Sequence, residues 1–465
     1  MNETISPPVL SVQDVVRATH GALVGGDLGV PVRGVSIDSR TLTVGEAFFA
    51  ICGHRLDGHA FAREAIGRGA ACLVVHALPD DLPGHVPVVL VDDTTTGLGR
   101  LAAAYRRRFD VPVVGVTGSN GKTTTKELLA AVLRQKFNTL WSAASFNNDV
   151  GVPLTLLQLE RDRQAAVLEV GTNHPGELAP LVRMIQPQFG VLTSIGREHL
   201  EFFGDVAGVA QEEGWLAELL PASGKLFLDG DSEWARVIAR RARASVVRVG
   251  FGEQNDWRAG PVSTTETGVS FSVFAPWREF AGEYELKLLG RHQALNALLA
   301  IAAAAELGVS PQAARRGLAE CKPAKMRLQV WEANGVRVLD DAYNANADSM
   351  LAALQTLRDL PCAGRRIAVL GDMAELGEHA AAAHTEIGRR AAELGVSNLV
   401  AVGKWARQTA EAARTAGLSE VQAFTDVPGA AEAVKNLVRS GDLVLLKASR
   451  AMGLEQIGDV LRRER

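Results

Sequence analysis

Val113-Val114-Gly115-Val116-Thr117-Gly118-Ser119-Asn120-Gly121-Lys122-Thr123-Thr124 joins an apolar β-branched run to a small, polar, glycine-bearing loop, and a helix opens at Lys122. A strand that feeds a helix through such a loop turns backbone N–H groups and a helix N-terminus toward an anion. Lys122 is placed to reach the outer phosphates of a nucleotide, and the Thr123 hydroxyl to ligand Mg²⁺. The common phosphate-loop pattern has a glycine five positions before Gly121, where this chain has Val116. The bland alternative is a tight turn before a helix, but Gly-Lys-Thr-Thr directly after a strand favours nucleotide binding.

Outward from this joint, short apolar strands alternate with Ala/Leu/Arg-rich helices, the rhythm of an α/β protein. With 465 residues, about three domains are expected. The spacing predicts strands at 32–37, 47–51, 71–75 and 87–91 with helices at 61–67 and 98–109. Phe109-Asp110-Val111-Pro112 then reads as a hinge, because the residue before proline is pushed out of the helical region. A second block runs through strands at 113–116, 165–170, 190–193 and 225–228 to a helix at 294–307. Within it, 246–289 alternates polar and apolar residues and reads as an antiparallel β excursion. A third block begins near Lys322-Pro323, with strands at 336–339, 366–370, 399–402 and 443–446. The domains are therefore placed at 1–110, 111–322 and 323–465: a small α/β unit, a central phosphate-loop unit and a Rossmann-like unit.

Composition narrows the function. A net charge of −4 without basic blocks argues against a nucleic-acid or anionic-membrane binder, and 47% hydrophobic residues argue against disorder. Cys52, Cys72, Cys321 and Cys362 form no Cys-x-x-Cys pair, so neither a structural zinc nor a disulfide framework is indicated. The start, with Glu3, Pro7 and Pro8, lacks the basic end and apolar core of a signal peptide, and no apolar run spans a bilayer. A cytoplasmic, reducing-compartment protein is expected.

Carboxylates near the phosphate loop are the next candidates, since Mg²⁺ takes hard oxygen ligands. Glu169 ends the apolar strand Ala165-Ala166-Val167-Leu168, at the sheet edge where ligands bind, although a solvent-facing strand terminus would read the same way. His199, in Gly196-Arg197-Glu198-His199-Leu200, follows another strand at the same edge; a lone histidine is more often structural. In the third block, Asp340-Asp341-Ala342-Tyr343-Asn344-Ala345-Asn346 follows a strand and precedes a helix, and its side chains suit ribose, phosphate or peptide groups, or a capped turn. Gly371-Asp372-Met373 and Lys447-Ala448-Ser449-Arg450 also follow strands, so all three loops are expected on one sheet edge.

Together these residues resemble the Mur ligases, the ATP-dependent amide-forming enzymes of peptidoglycan precursor synthesis, over nearly the whole chain. Thr117 through Thr124 looks like their ATP loop, and Asp38-Ser39-Arg40, Gly45, Phe48, Gly53 and Asp57-Gly58-His59 resemble an N-terminal UDP-sugar-binding domain. Phe146 through Pro153, Glu169 through Glu177, Asp340 through Asn346 and Leu370 through Gly377 resemble the member that joins D-alanyl-D-alanine to UDP-N-acetylmuramoyl-tripeptide. The sister adding the third peptide residue would carry Asp-Asn-Pro-Arg, which is absent here. The sister activity and an inactive nucleotide-binding scaffold stay as alternatives. The resemblance implies ATP and Mg²⁺ as cofactors and a monomer. It implies that Thr117, Gly118, Ser119, Asn120, Gly121, Lys122, Thr123 and Thr124 cradle ATP, with Asn148 and Asn296 on the nucleotide, Asp341 on the ribose and Arg327 on the γ-phosphate. Thr123 and Glu169 would hold one Mg²⁺ and His199 a second, Asn344 and Asn346 would line the inter-domain site, and Ser39 and Arg40 would hold the UDP-sugar.

Three departures from the family stand out. A lysine that follows the histidine is carbamylated in the family and bridges the metals; here Gln211-Glu212-Glu213-Gly214 occupies that stretch, and Glu213 is expected to supply the charge and oxygens directly. Gln293 stands where an asparagine is usual, which bears on a nucleotide contact. Ala347 stands where a proline is usual, which changes loop stiffness.

Overall fold

The Val113–Thr117 strand lies inside a nine-stranded sheet, with Ala165–Glu169 and then Thr139–Trp141 on one side. On its other side follow Phe189–Leu192, Lys225–Asp229, Ser245–Gly250, Trp257–Thr264, Val269–Phe274 and Gly282–Leu286. The chain leaves Val113–Thr117 toward one edge and returns to continue on the other, so this strand marks the topological switch. In open parallel sheets the crevice beyond the carboxyl ends at that switch is where ligands bind. The arrangement is that of a computed structural model, which describes residues 10–53, 56–78 and 84–463. The first residues, read above for a leader, lie outside the described residues apart from Leu10. Among the described residues no helix is long and apolar enough to cross a membrane.

The 246–289 excursion is sheet, but only partly antiparallel. Ser245–Gly250 pairs in parallel with Lys225–Asp229 and with Trp257–Thr264; the last two strands then form an antiparallel meander with Trp257–Thr264. Trp257, Phe271 and Tyr284 point inward from these strands, onto the buried alanine-rich helix His292–Glu306. Short strands had little periodicity to betray them. Thr139–Trp141 is missing from the sequence reading, and the strand expected at 32–37 is two pieces, Pro31–Val32 and Gly34–Ser36, that pair with different partners.

The N-terminal unit is a five-stranded sheet ordered Ala22–Leu23, Val88–Leu90, Cys72–Val75, Glu46–Phe49, Gly34–Ser36. The C-terminal unit is a six-stranded sheet in which the Gln329–Ala333 and Val336–Asp340 hairpin is followed by Leu443–Lys447, Arg366–Gly371, Asn398–Val402 and Val421–Phe424, all parallel after the hairpin. Because Leu443–Lys447 inserts between Val336–Asp340 and Arg366–Gly371, the loops after these three strands open at one edge, as the sequence predicts. Three α/β units thus follow one another along the chain.

The expected hinge at Phe109–Pro112 is pinned. The helix Thr94–Arg106, started by an Asp93 cap, ends in Arg106, which is 3% exposed. Its guanidinium donates to the carbonyls of Phe109 (2.7 Å), Val111 (3.1 Å) and Ile185 (3.0 Å), and Tyr105 donates to Leu159 O at 2.8 Å. Around these bonds Leu98, Leu101, Val113, Leu156, Leu181 and Ile185 share one apolar cluster, so the N-terminal and central units have a common core. Arg106→Ala would strand several buried carbonyls and is expected to destabilise the chain by about 3–5 kcal/mol, read from urea unfolding. A loss below ~1 kcal/mol would show that the junction does not depend on it.

Candidate active site

The phosphate loop is divided into a half that the protein holds and a half that it leaves open. Gly118 N–H donates to Glu213 Oε2 (3.0 Å), Ser119 N–H to Ser194 O (2.8 Å) and Asn120 N–H to Ser194 Oγ (2.9 Å). The N–H groups of Gly121, Lys122, Thr123 and Thr124, where the Lys122–Leu133 helix begins, meet no protein acceptor. Four free donors at a helix start suit an anion. The turn is made by Gly118 (φ 120°) and Gly121 (φ 85°). A Cβ would fall 2.5 Å from Thr193 Oγ1 at Gly118, and 2.5 Å from Asn296 Oδ1 at Gly121. Val116 needs no such freedom, because it is an ordinary buried strand residue paired with Glu169.

Beneath the loop lies a buried ionic set. Lys122 Nζ donates to Gly118 O and stands 3.2 Å from Glu198 Oε2. Burial opposes its charge, but Glu198, Glu213 and Glu169 together outweigh that and raise its pKa. Glu213 is fully buried at the end of the Val206–Glu213 helix, and its Oε2 accepts from the Thr117 hydroxyl (2.6 Å) as well as from Gly118 N–H. Burial pushes the Glu213 carboxyl up from its usual 4.5 to about 8; Lys122 pulls the other way and Glu198 adds to the rise. Glu169 ends its strand facing the same space. Its Oε1 accepts from Thr123 Oγ1 (3.2 Å) and Asn147 Nδ2 (2.8 Å), and Ser145 Oγ lies 3.4 Å from Thr123 Oγ1.

Glu169 Oε2, Glu198 Oε1 and Glu213 Oε1 are buried with no hydrogen-bond partner. Bare buried carboxylate oxygens are costly, and a hard divalent cation satisfies them. The residues present therefore fit Mg²⁺. Among the described residues no three His, Cys, Asp or Glu side chains form a complete cage. The expected ligands instead separate into Thr123 with Glu169, and His199 and Glu213 with Glu198 between them: His199 Nε2 is 4.0 Å from Glu198 Oε2. Ions held by one or two side chains complete their shells with phosphate oxygens and water.

The C-terminal unit reaches into this crevice. Arg327, flanked by Met326 and Leu328 in the left-handed region, lies 4.2 Å over the Tyr343 ring and points Nη2 to Ser145 Oγ at 3.4 Å. Asp341 fastens that loop by accepting from Leu328 N–H (3.1 Å), and it pairs with the buried Lys447 Nζ at 2.5 Å. Asn346 caps the Ala347–Asp359 helix and donates to Asn120 Oδ1 at 3.0 Å, from one unit to the phosphate loop of the other. Ala347 is the first helical residue, where a proline would also fit. Asn344 is exposed, its carbonyl accepting from Lys447.

Other expected residues are placed less directly. Asn296 packs on Gly121 and donates to Gln293 Oε1 at 2.9 Å, so the unusual Gln293 orients Asn296. Thr124, Gln293, Lys322 and Arg327 line a narrow cleft beside the loop. Asn148 spends its Oδ1 on the Gly151 N–H at the start of the Gly151–Leu156 helix, and the neighbouring Asn147, which the sequence motif leaves without a role, contacts Glu169 instead. In the N-terminal unit the Ser39 hydroxyl is buried and donates to Glu64 Oε2 (2.9 Å), whereas Arg40 is exposed and forks onto Asp38.

Family models match three successive stretches: the Mur ligase family catalytic domain over residues 31–106, the Mur ligase middle domain over 116–304, and the Mur ligase glutamate ligase domain over 326–450. The chain belongs to the Mur ligase family. This Mur ligase is 35% identical over 450 residues to the UDP-N-acetylmuramoyl-tripeptide–D-alanyl-D-alanine ligase of Bacillus subtilis, covering 96% of this chain and 97% of that one. It is 36% identical to the ligase of the same name from Escherichia coli, with the same coverage. MurF from Acinetobacter baumannii superposes with a TM-score of 0.90 at 30% identity, over 98% of this chain and 100% of that chain. MurF ligase from Thermotoga maritima, solved in complex with ADP, superposes at 0.79 and 27% identity, over 92% and 97%.

A raised carboxyl pKa means that folding favours the protonated form. Its stabilisation is complete below pH 4.5 and is lost as pH rises through about 8. At pH 7 the Glu213 carboxyl of the metal-free Mur ligase therefore carries its proton, and Mg²⁺·ADP is expected to expel about one proton per chain. Calorimetry in phosphate and Tris buffers checks this. No net proton release would contradict a protonated Glu213.

Proposed function

We propose that this Mur ligase joins D-alanyl-D-alanine to UDP-N-acetylmuramoyl-tripeptide with ATP, as a monomeric cytoplasmic enzyme. The supporting observation is that Asn346 of the C-terminal unit bonds Asn120 of the phosphate loop while Arg327 reaches Ser145, itself beside Thr123, in a chain similar along nearly its whole length to ligases of that name. A carboxylate is a poor acyl donor, because its charge repels an amine and oxide leaves badly. Attack of the tripeptide's terminal carboxylate on the γ-phosphorus gives an acyl phosphate and releases ADP. The dipeptide amine then attacks the acyl carbon, phosphate leaves, and the amine loses a proton.

The first step brings two anions together, so positive charge must be gathered in line. Lys122 would stand under the outer phosphates, the free N–H groups of Gly121 to Thr124 would hold the chain of phosphates, and Arg327 would approach from the C-terminal unit beside Ser145. Thr123 and Glu169 would hold one Mg²⁺, and His199 and Glu213 a second; bound there, the ions would neutralise charge on the transferring phosphoryl group. Asn296, packed on Gly121 and held by Gln293, would meet the nucleotide beside the loop, and Asp341 the ribose. Asn344 and Asn346 face the peptide between the domains, and the docked C-terminal unit shields the acyl phosphate from water. Of the Asp38-Ser39-Arg40 turn, Arg40 is the member with a free face for the UDP-sugar, since Ser39 is tied to Glu64.

Glu213 stands where the family has its carbamylated lysine. Its bare Oε1 and its hold on Thr117 and Gly118 suit a direct oxygen ligand. Phosphate release from Mg·ATP is expected to require both the UDP-tripeptide and D-Ala-D-Ala, to proceed without bicarbonate, and to fall at least tenfold in Glu213→Gln. Dependence on bicarbonate, or a fully active Glu213→Gln, would refute this role; turnover without the dipeptide would refute the ligase. Arg327→Ala is expected to lower kcat by roughly 10²-fold while KM for the UDP substrate stays within a few fold. The reverse split in steady-state kinetics would place Arg327 in substrate binding instead.

A further inference from the structure

His199 and Glu375 meet across the seam between the central and C-terminal units, and both sit in backbone conformations that side chains disfavour. His199 has φ 48° and Glu375 φ 58°, and non-glycine residues in the left-handed region cost of order 1 kcal/mol or more each. Between them His199 Nδ1 bonds Glu375 Oε2. The Glu375 backbone is tied to the same segment, its carbonyl accepting from Glu201 N–H at 3.0 Å. Two residues on, Gly377 (φ 51°) lies so close that a Cβ would stand 3.1 Å from Glu201 Cα, and His379 Nε2 is 2.8 Å from Gly204 O.

The loop that carries Glu375 is fixed to its own sheet. Ala374 N–H donates to Ser449 Oγ (2.8 Å) and Met373 N–H to His384 Nε2 (3.1 Å). Glu375 therefore goes where the C-terminal unit goes. Its bond occupies Nδ1 of His199 and leaves Nε2, on the side of Glu198, as the ring's free nitrogen. A carboxylate on one imidazole nitrogen fixes the tautomer that presents the other as a ligand, and makes it more basic. Neither the strand-following loop at Gly371-Asp372-Met373 nor the family motif Leu370 through Gly377 assigns Glu375 a role from sequence.

We propose that Glu375 is a positioning residue that orients His199 for the second divalent ion, so that this ion binds tightly only when the C-terminal unit is docked. The proposal rests on the reading of His199 as a metal ligand. Chemistry on the γ-phosphate is then withheld until the domain that shields the acyl phosphate is in place.

The test is Mn²⁺ binding to the full chain with saturating ADP, followed by the electron paramagnetic resonance signal of free Mn²⁺. Wild type is expected to bind two ions. Glu375→Ala should keep the tighter ion and ADP affinity, which also reports an intact fold, and weaken the second ion by tenfold or more. Glu375→Gln, whose carbonyl still accepts from Nδ1–H, should recover most of that loss. Arg197→Ala loosens docking alone, because Arg197 clasps Asp348 and Glu386 across the same seam without touching His199; it should weaken the second ion as far as it undocks the C-terminal unit, a loss that Glu375→Gln does not show. An unchanged second ion in Glu375→Ala, with its loss in His199→Ala, overturns the positioning role alone. A Glu375→Gln variant as weak in the second ion as Glu375→Ala overturns the orienting role in favour of docking alone. A single ion in wild type, or two in His199→Ala, overturns the ligand reading itself.

Discussion

A buried ammonium among buried carboxylates organises this molecule. Removing Lys122, Glu169, Glu198 and Glu213 from water is tolerable only while their charges and hydrogen bonds answer one another. The loop conformation follows from that demand. Glu213 grips Thr117 and Gly118 from below, Lys122 folds back onto Gly118 O and toward Glu198, and Thr193 and Ser194 hold the backbone of Asn120. What remains unpaired, the helix-start N–H groups and three carboxylate oxygens, is the complement of a polyphosphate with its cations.

The two inter-domain joints differ in kind. The N-terminal unit shares an apolar core with the central one, and Arg106 is locked among carbonyls at the junction. The C-terminal unit adds to the central one a smaller apolar patch around Leu200, Val209 and Leu289, edged by Arg197 with Asp348 and Glu386, Asn346 with Asn120, and His199 with Glu375. A joint rich in polar pairs exchanges them for water at modest net cost, whereas one built on shared core does not. The site's second half therefore stands on the more separable joint.

The chemistry was most legible where one residue type had one plausible job. Gly118, Gly121, Lys122 and Thr123 announced an anion loop, and Glu169 sat at the end of an unmistakable buried strand. The switch-point topology then brought these to one edge. Residues whose role depends on a distant partner were not legible. Glu198 lay beside the histidine that drew notice, Asn147 beside the asparagine, and Glu375 in a loop whose target is on another domain. Asn148 and Ser39 carried family expectations, yet their side chains are spent on the Gly151 N–H and on Glu64. Phe109–Pro112 read as a hinge from the proline rule alone, because the buried guanidinium that pins it lies on the preceding helix. Local sequence records backbone preference well and long-range pairing poorly.

The central claim is that the carboxylates around Lys122 form a two-cation phosphoryl-transfer site in which Glu213 is itself a ligand. Anomalous diffraction from crystals grown with Mn²⁺ and ADP tests it most directly. The account predicts two manganese peaks, one at Thr123 and Glu169 and one at His199 with Glu213 in its coordination shell. A second peak that excludes Glu213, or a single peak at Thr123 and Glu169, would contradict it.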